Sequence, residues 1–528
     1  MKQIFPRQDV AEVLRLVISQ AHKIEVVPEI TYADPQFGDF QTNVAMKLAK
    51  ELGSSPHDIA RPVVDELLKQ DNIESADTAG PGFINITLAD SYWLQYMENI
   101  DHDFGKNSRG RGARVQVEYI SANPTGPLTL GNARGGFIGD VLSNVLATQG
   151  YEVTREYYFN DAGTQIGKLI DSLRVAAGVS SDGDRQYSGE YIASLADDFK
   201  EELKTDDNSS LGERITESVF EQHIKPALKK ANITFDVYTN ERKISQKLPM
   251  IINELGEQEL IEQRDGATWL KSSQFGDERD RVLIKSNEDI TYLGNDIAYH
   301  YDIFNDRKFD KAIKIWGADH AGQVPSLQKT LNHLFPGKKL DFIIVQWVRL
   351  IKNGKEFKIS KRAGTYVTVE ELVDRVGVDV ARWFMLMRSN DTHMDFDLDL
   401  ATEQSQKNPF WYVMYSYVRA QSICREADKS GIEATEGMMG LTSLERDMAK
   451  ELSRLPDLLD EISQSYEVHK LTHYGQSLSK IFHEWYEKVR VLDLPSHEAS
   501  TKLYFLQQYI RAMDVYWSVL GIEPYKKM

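Results

Sequence analysis

Apolar residues recur at helical spacing from the start of the chain. Val10, Val13, Leu14 and Val17 fall on one face, which predicts a first helix. Ser55-Pro56 reads as an N-cap followed by proline at the first helical position, with Ile59, Val63, Val64 and Leu67 as the apolar face behind it. Pro62 sits inside that pattern and is expected to kink or shorten the helix. The stretch 79–86 reads as a glycine-rich turn entering a short strand. Residues 1–105 therefore read as a small α+β domain.

From Arg114 the period changes. Val115, Val117 and Tyr119 alternate with Gln116 and Glu118, which argues for a strand. A turn-rich segment, 121–127, leads into Gly131 and an amphipathic helix through Phe137, Ile138, Val141, Leu142 and Val145, ending at Gly150. A strand near 153–159 and a helix from Gln165 follow. The order returns later, with a strand over 312–316, a loop over 317–320 and a helix over 325–334. Strand, loop, helix, strand is the unit of a doubly wound parallel sheet, so the fold class is α/β, Rossmann-like, over 106–375. Residues near 170–285 are polar and read as a helical insertion. Beyond 400 helical patterns dominate, at 412–430, 441–465, 468–492 and 503–520, and 376–528 reads as a helical bundle. Most of its aromatics, among them Trp411, Tyr412, Tyr415, Tyr417, Trp485, Tyr486, Tyr509 and Trp517, are expected in its core.

Composition narrows the function. Of 528 residues, 41% are hydrophobic and 27% charged, values of an ordinary globular protein with several domains. No run of about 18 apolar residues occurs, so no membrane span is expected. The first nine residues carry no secretory pattern. A single cysteine, Cys424, excludes internal disulfides and a cysteine-based zinc cluster, and points to the cytoplasm. Lys and Arg total 62 against 80 Asp and Glu, a net charge of −18, so any polyanion must bind at local basic patches.

Three segments carry candidate chemistry. The turn between Glu118 and Gly135 lies where an open parallel sheet binds ligands, with Gly126 and Gly131 permitting close backbone approach and Gly135 and Gly136 close helix packing. It lacks a Walker pattern, which disfavours a P-loop kinase or GTPase. The alternative reading is a tight proline-stiffened turn. The second segment, Lys358-Ile359-Ser360-Lys361-Arg362-Ala363-Gly364, follows the hairpin signal Asn353-Gly354. It suits either a phosphate-covering loop or a solvated hairpin tip. The third, 104–114, carries Lys106, Arg109, Arg111 and Arg114, and reads equally as a solvated linker or a phosphate contact.

Together the first two segments resemble the HIGH and KMSKS signatures of class I aminoacyl-tRNA synthetases, here Thr129-Leu130-Gly131-Asn132 and Lys358-Ile359-Ser360-Lys361-Arg362. The surroundings resemble arginyl-tRNA synthetases: Val117–Leu128, Phe159–Ile166, Gly317–His320, Lys361–Thr368, the DALR-like Asp379-Val380-Ala381-Arg382, Asp395–Leu400, and Phe37–Ala45 near the N-terminus. The resemblance runs in order from about residue 30 to the C-terminus.

That resemblance implies ligation of L-arginine to tRNA(Arg) through an arginyl-adenylate, with ATP as substrate and Mg2+ arriving with it. It implies an N-terminal tRNA-binding domain over 1–105, a catalytic domain over 106–375 and an anticodon-binding domain over 376–528. The catalytic set it implies is Thr129, Gly131, Asn132, Lys358, Ser360 and Lys361. Glu118, Ser121, Asn123, Tyr292, Asp296 and Gln323 would bind arginine, with Asp296 as the partner of the guanidinium. Tyr292 and Asp296, one helical turn apart, would face one pocket. Pro127, Leu128, Leu130, Arg134, Asp319, His320 and Ile359 would bind ATP. No resident metal site is expected, and the chain is expected to act as a monomer. One departure is that Thr129 and Asn132 replace both histidines of the HIGH motif, and neither can carry an imidazolium charge. The alternative it leaves open is a catalytically weakened, RNA-binding paralogue; an altered pocket would instead mean a different amino acid.

Overall fold

The computed structural model describes residues 6–161, 163–181, 186–205, 208–357, 367–435 and 440–527, without the side chains of Pro35 and Ser209. The chain divides into two compact units, one made of 1–106, 411–461 and 473–528, the other of 107–410 and 462–472.

The second unit is built on a five-stranded parallel sheet. Its strands are β1 (Arg114–Glu118), β2 (Glu152–Phe159), β3 (Val237–Asn240), β4 (Lys311–Gly317) and β5 (Lys339–Val345), in the order β5-β4-β1-β2-β3. The chain leaves β1 first to one side and later to the other, so the order reverses between β1 and β4, where doubly wound sheets form a crevice. In that pairing Lys314 of β4 stands directly opposite Glu118 of β1.

Helix α1 (Leu130–Thr148) follows β1 and is buried along most of its length. A Cβ at Gly136 would come 2.8 Å from the Ile120 side chain, and one at Gly139 would come 2.3 Å from the Tyr119 ring. Those two glycines, rather than Gly135, let the helix lie against the turn after β1.

The region 170–285 is less purely helical than its polarity suggests. It contributes β3 to the main sheet and a three-stranded antiparallel sheet, Ile261–Arg264, Ala267–Leu270 and Arg281–Ile284. These strands have four residues each, too short to display an alternating pattern. Helices α2 (Tyr292–Tyr301) and α3 (Val324–Leu334) flank β4 in the chain. The hairpin Val348–Lys352/Lys355–Glu356 turns on Asn353 and Gly354, both at positive φ. Met394–Asp397 pairs in parallel with Val348–Ile351, which keeps 376–410 with this unit; its boundary falls after Phe410.

In the first unit a four-stranded antiparallel sheet, ordered Thr31–Tyr32, Phe40–Thr42, Phe83–Leu88, Ile73–Ala79, packs with the helices Pro6–His22, Val44–Leu52, Pro56–Leu67 and Asp90–Glu98. The helix Pro56–Leu67 runs through Pro62. The carbonyl freed by that proline belongs to Asp58, which is exposed, while Ile59, Ala60, Val63 and Leu67 are buried and hold the helix down. Four long helices, Pro409–Lys429, Ser443–Ser465, Lys470–Lys488 and Ser496–Leu520, supply most of the C-terminal third. Within this unit they meet the N-terminal segment through Lys450–Asp39 at 2.5 Å, Arg446–Asp90 at 2.6 Å, and the Tyr32 hydroxyl donating to Asp457 at 2.8 Å.

Candidate functional site

A cavity of ≈ 680 Å³ opens at the C-terminal ends of β1 and β4. Most of the residues singled out in the sequence line it: Glu118, Ser121 and Asn123 after β1; Pro127, Thr129, Gly131 and Asn132 at the start of α1; Tyr292 and Asp296 on α2; Asp319, His320 and Gln323 after β4. Lys358, Ile359, Ser360 and Lys361 lie outside the described residues.

The turn after β1 is tightly held. Ile120 and Ser121 are both left-handed, with φ of 67° and 43°, which is costly for a β-branched isoleucine. The Ser121 hydroxyl accepts the Tyr158 N–H at 3.2 Å. Asn123 accepts the Asn160 N–H at 3.1 Å and donates its side-chain N–H to Gln165 at 2.7 Å. At the head of α1, Asn132 Oδ1 accepts both the Thr129 N–H at 2.8 Å and the Thr129 hydroxyl at 2.9 Å. The helix N-terminus thus presents backbone N–H groups and the Asn132 amide to the cavity, an arrangement suited to phosphate oxygens.

Three ATP-facing expectations do not survive as side-chain contacts. Arg134 is buried and turns away from the cavity, donating to the carbonyls of Gln346, Thr392 and Ser389 at 2.8–2.9 Å. Loss of solvation pulls its guanidinium down to about 10. Three neutral carbonyl acceptors in a buried position make it a brace rather than a ligand. Leu128 and Leu130 point their side chains into the core; Leu128 contributes its carbonyl, which accepts the Val369 N–H at 2.9 Å.

The side opposite α1 is acidic. Asp296 lies one turn along α2 from Tyr292, which is 74% exposed, and among the described residues its carboxyl makes no ion pair. Loss of solvation pushes that carboxyl up to about 8; the Lys314 ammonium opposes the shift, and Glu118 and Glu241 add to it. Glu241 accepts from Asn160 at 2.6 Å, Asn295 at 2.7 Å and the Tyr158 hydroxyl at 2.9 Å, all neutral donors. Burial raises its carboxyl as well. Glu118 is met by Lys314 at 2.6 Å.

Lys314, Glu241 and the aromatic surfaces of Trp316 and Trp347 line the cavity but were not read from the sequence. Lys314 did carry a signal, a charge at the centre of the apolar strand Ala312-Ile313-Lys314-Ile315-Trp316. Glu241 carried none, because β3 was not recognised. His320 sits beside Trp316, ring centroids 5.5 Å apart, and faces Asp319.

Of the basic connector, Lys106 is paired with Asp103 at 2.8 Å, and Arg114 donates to the Arg307 carbonyl and lies over the Phe309 ring. In the C-terminal helices Tyr417, Trp485, Tyr504, Phe505, Tyr509 and Trp517 are buried, whereas Trp411, Tyr412, Tyr415 and Tyr486 are half-buried.

Comparison with known proteins covers the whole chain. Residues 7–88 match the arginyl tRNA synthetase N-terminal domain, 99–397 the class I (R) tRNA synthetase catalytic domain, and 413–528 the DALR anticodon binding domain. The arginine–tRNA ligases of Bacillus licheniformis and Bacillus subtilis are each 36% identical, the alignments covering 100% of this chain and 99% of theirs. The Thermus thermophilus arginyl-tRNA synthetase structure superposes with a TM-score of 0.76 at 20% identity, over 99% of this chain and 100% of that one. The Plasmodium falciparum structure of the same name gives 0.79 at 18% identity, over 100% of both chains. At those identities the two structures speak for the fold.

Proposed function

Because the chain belongs to the arginyl-tRNA synthetase family, we propose that the cavity at the ends of β1 and β4 is where arginine and ATP react. The protein is an arginine–tRNA ligase of class I, attaching arginine to tRNA with ATP. In the order we propose, an arginine carboxylate oxygen attacks the α-phosphorus of ATP and pyrophosphate leaves, giving arginyl-adenylate. A ribose hydroxyl at the tRNA 3′ end then attacks the carbonyl carbon, and AMP leaves. No covalent enzyme intermediate is needed, so the protein's work is to orient the reactants and meet developing charge.

The observation that carries the reading is the convergence on one cavity of a helix N-terminus with an excess of carboxylates. Asp296 takes the guanidinium, flanked by Tyr292, while Glu118, Ser121, Asn123 and Gln323 hold the remainder of the amino acid. Thr129, Gly131 and Asn132, with the N–H groups of α1, meet phosphate oxygens. Pro127, Asp319 and His320 border the nucleotide. Lys358, Ser360 and Lys361, with Ile359, are assigned to the phosphates on their sequence pattern alone. Among the described residues no three His, Cys, Asp or Glu side chains gather to hold a metal. We place Mg2+ as an ion carried on the ATP phosphates, where it would neutralise charge.

The half-buried aromatics of the C-terminal helices suit unpaired tRNA bases. No described helix is long and apolar enough to cross a membrane. We assign the protein to the cytoplasm, acting as a monomer. Arginine-dependent ATP–pyrophosphate exchange, with and without tRNA(Arg), tests the reading: exchange with arginine but not with lysine or citrulline is expected. Absence of exchange and of aminoacylation, even with tRNA, would overturn it.

A further inference from the structure

Lys314 is a cation in a pocket assigned to a cationic substrate. Its side chain is 1% exposed and its ammonium lies 2.6 Å from Glu118, itself 5% exposed. Parallel register sets the two residues directly opposite one another at the sheet's switch point. The ammonium also lies 4.0 Å from the centroid of the Tyr299 ring. That ring is fixed in turn: its hydroxyl donates to Glu156 at 3.0 Å and accepts from Gln116 at 3.0 Å, and Glu156 is held by Arg307 at 2.8 Å. So the lysine is held from two sides by groups that are themselves held.

The charges around it give the arrangement a purpose. Glu118, Glu241 and Asp296 line the cavity with Lys314. Glu118 and Glu241 both favour the protonated form of Asp296, and Lys314 opposes them. With Asp296 ionised, three carboxylates and one ammonium leave two negative charges, matching the two cationic ends of bound arginine, its guanidinium and its α-ammonium. We propose that Lys314 is a positioning residue of the arginine site, fixing Glu118 and setting the charge of the pocket to suit that substrate. The proposal rests on the assignment of this cavity to arginine.

The groups acting on Asp296 come from four elements: Lys314 from β4, Glu118 from β1, Glu241 from the helix Glu241–Ser245, and Tyr158 from β2. On its own helix the His300 ring donates to the Asp296 carbonyl at 2.7 Å and is kept neutral by burial and by the Lys314 charge. Lys314 is thus the cation that favours the charged form of Asp296, and Glu118 opposes it.

The test is the arginine KM in aminoacylation by the full chain with tRNA(Arg), measured between pH 6 and 9. Lys314→Met should raise the arginine KM at pH 7 about tenfold or more, and move the pH at which KM levels off upward by at least about one unit. The ATP KM should move far less. Lys314→Arg should restore both features. Glu118→Gln keeps the lysine and removes a like charge from Asp296, so its levelling-off point should move downward, which keeps the proposal testable if Lys314→Met does not fold. A folded Lys314→Met with wild-type arginine KM and pH profile, or no downward move in Glu118→Gln, would reduce the pair to a structural ion pair. Asp296→Asn separates the two readings. If it leaves the arginine KM unchanged, the assignment of the cavity falls; if it raises KM while Lys314→Met does not, the role of Lys314 alone falls.

Discussion

Asn132 accepts two hydrogen bonds from Thr129 on the same side-chain oxygen, the backbone N–H at 2.8 Å and the hydroxyl at 2.9 Å. With its oxygen so used, Asn132 has its amide N–H groups to offer the cavity, and the pair acts as a neutral donor at the head of α1. Asn132→Asp keeps the accepting oxygen and suits a helix N-terminus, so thermal stability should hold or rise. The donor is lost and a negative charge faces the phosphates. Adenylate formation should fall at least about a hundredfold in kcat, as for removal of an oxyanion donor. Wild-type single-turnover kinetics in Asn132→Asp would remove the pair from the catalytic set.

Asp296→Asn keeps the size and removes the charge of the proposed guanidinium partner. Losing one charge-assisted bond costs about 1.5–3 kcal/mol, roughly ten- to a hundredfold in kcat/KM for arginine. Burial already disfavours the charged form of Asp296, so the folded variant should be no less stable than wild type. A stable variant with unchanged arginine kinetics contradicts the assignment.

The same carboxyl predicts a pH profile. In the free enzyme it titrates at about 8, and a guanidinium partner stabilises its ionised form. Below that pH, binding must expel a proton, so affinity rises with pH. Arginine KM should fall about tenfold per unit from pH 6 towards 8 and then level off. A KM flat from pH 6 to 9 would show that Asp296 is ionised throughout.

The sequence was legible where its pattern was long. The period of α1 and the alternation of β1 located the crevice, and the four C-terminal helices show as extended helical patterns. Asn353-Gly354 announced its hairpin. The sequence did not reveal which way a side chain turns: Arg134 sits two residues past the first signature, yet the carbonyls that claim it come from Gln346, Ser389 and Thr392, far along the chain. Lys314 is the converse, a lysine in an apolar strand whose meaning depends on Glu118 being its neighbour across the sheet. Nor did local pattern indicate that β3, four residues inside a polar region, joins the main sheet.

Arg382, part of the DALR-like segment, is fully buried and bonds Asp140 of α1 at 2.5 Å and the Asn232 carbonyl at 2.7 Å. Removing Arg382 leaves the buried Asp140 carboxylate with only the more distant Arg155, 3.7 Å away, so the cost should approach the roughly 3–5 kcal/mol of a broken buried pair. Arg382→Ala should lower the urea midpoint of the full chain accordingly. Arg382→Met with Asp140→Leu, which removes both charges, should recover most of that loss. If the single variant is as stable as wild type, the pair contributes nothing to the fold.

Recognition of tRNA by a chain with net charge −18 requires local chemistry. One candidate surface lies on the C-terminal helices. Arg419 lies 4.6 Å from the Tyr415 ring centroid and 5.9 Å from that of Tyr486, and His483 packs against Tyr412 at 4.5 Å and Tyr415 at 5.7 Å. Burial lowers the His483 pKa, so the ring is neutral at physiological pH and the cation here is the arginine. A half-buried tyrosine with a guanidinium over it can stack a base and meet a phosphate together. The two side chains should then fail differently. Tyr415→Ala should weaken tRNA binding by about 1–3 kcal/mol at every salt concentration, with the salt slope unchanged. Arg419→Ala should lose affinity mainly at low salt and reduce the log–log slope by about one. Titrations of tRNA(Arg) at several salt concentrations separate these patterns. Equal affinity and slope in both folded variants would move the contact to another face of the bundle.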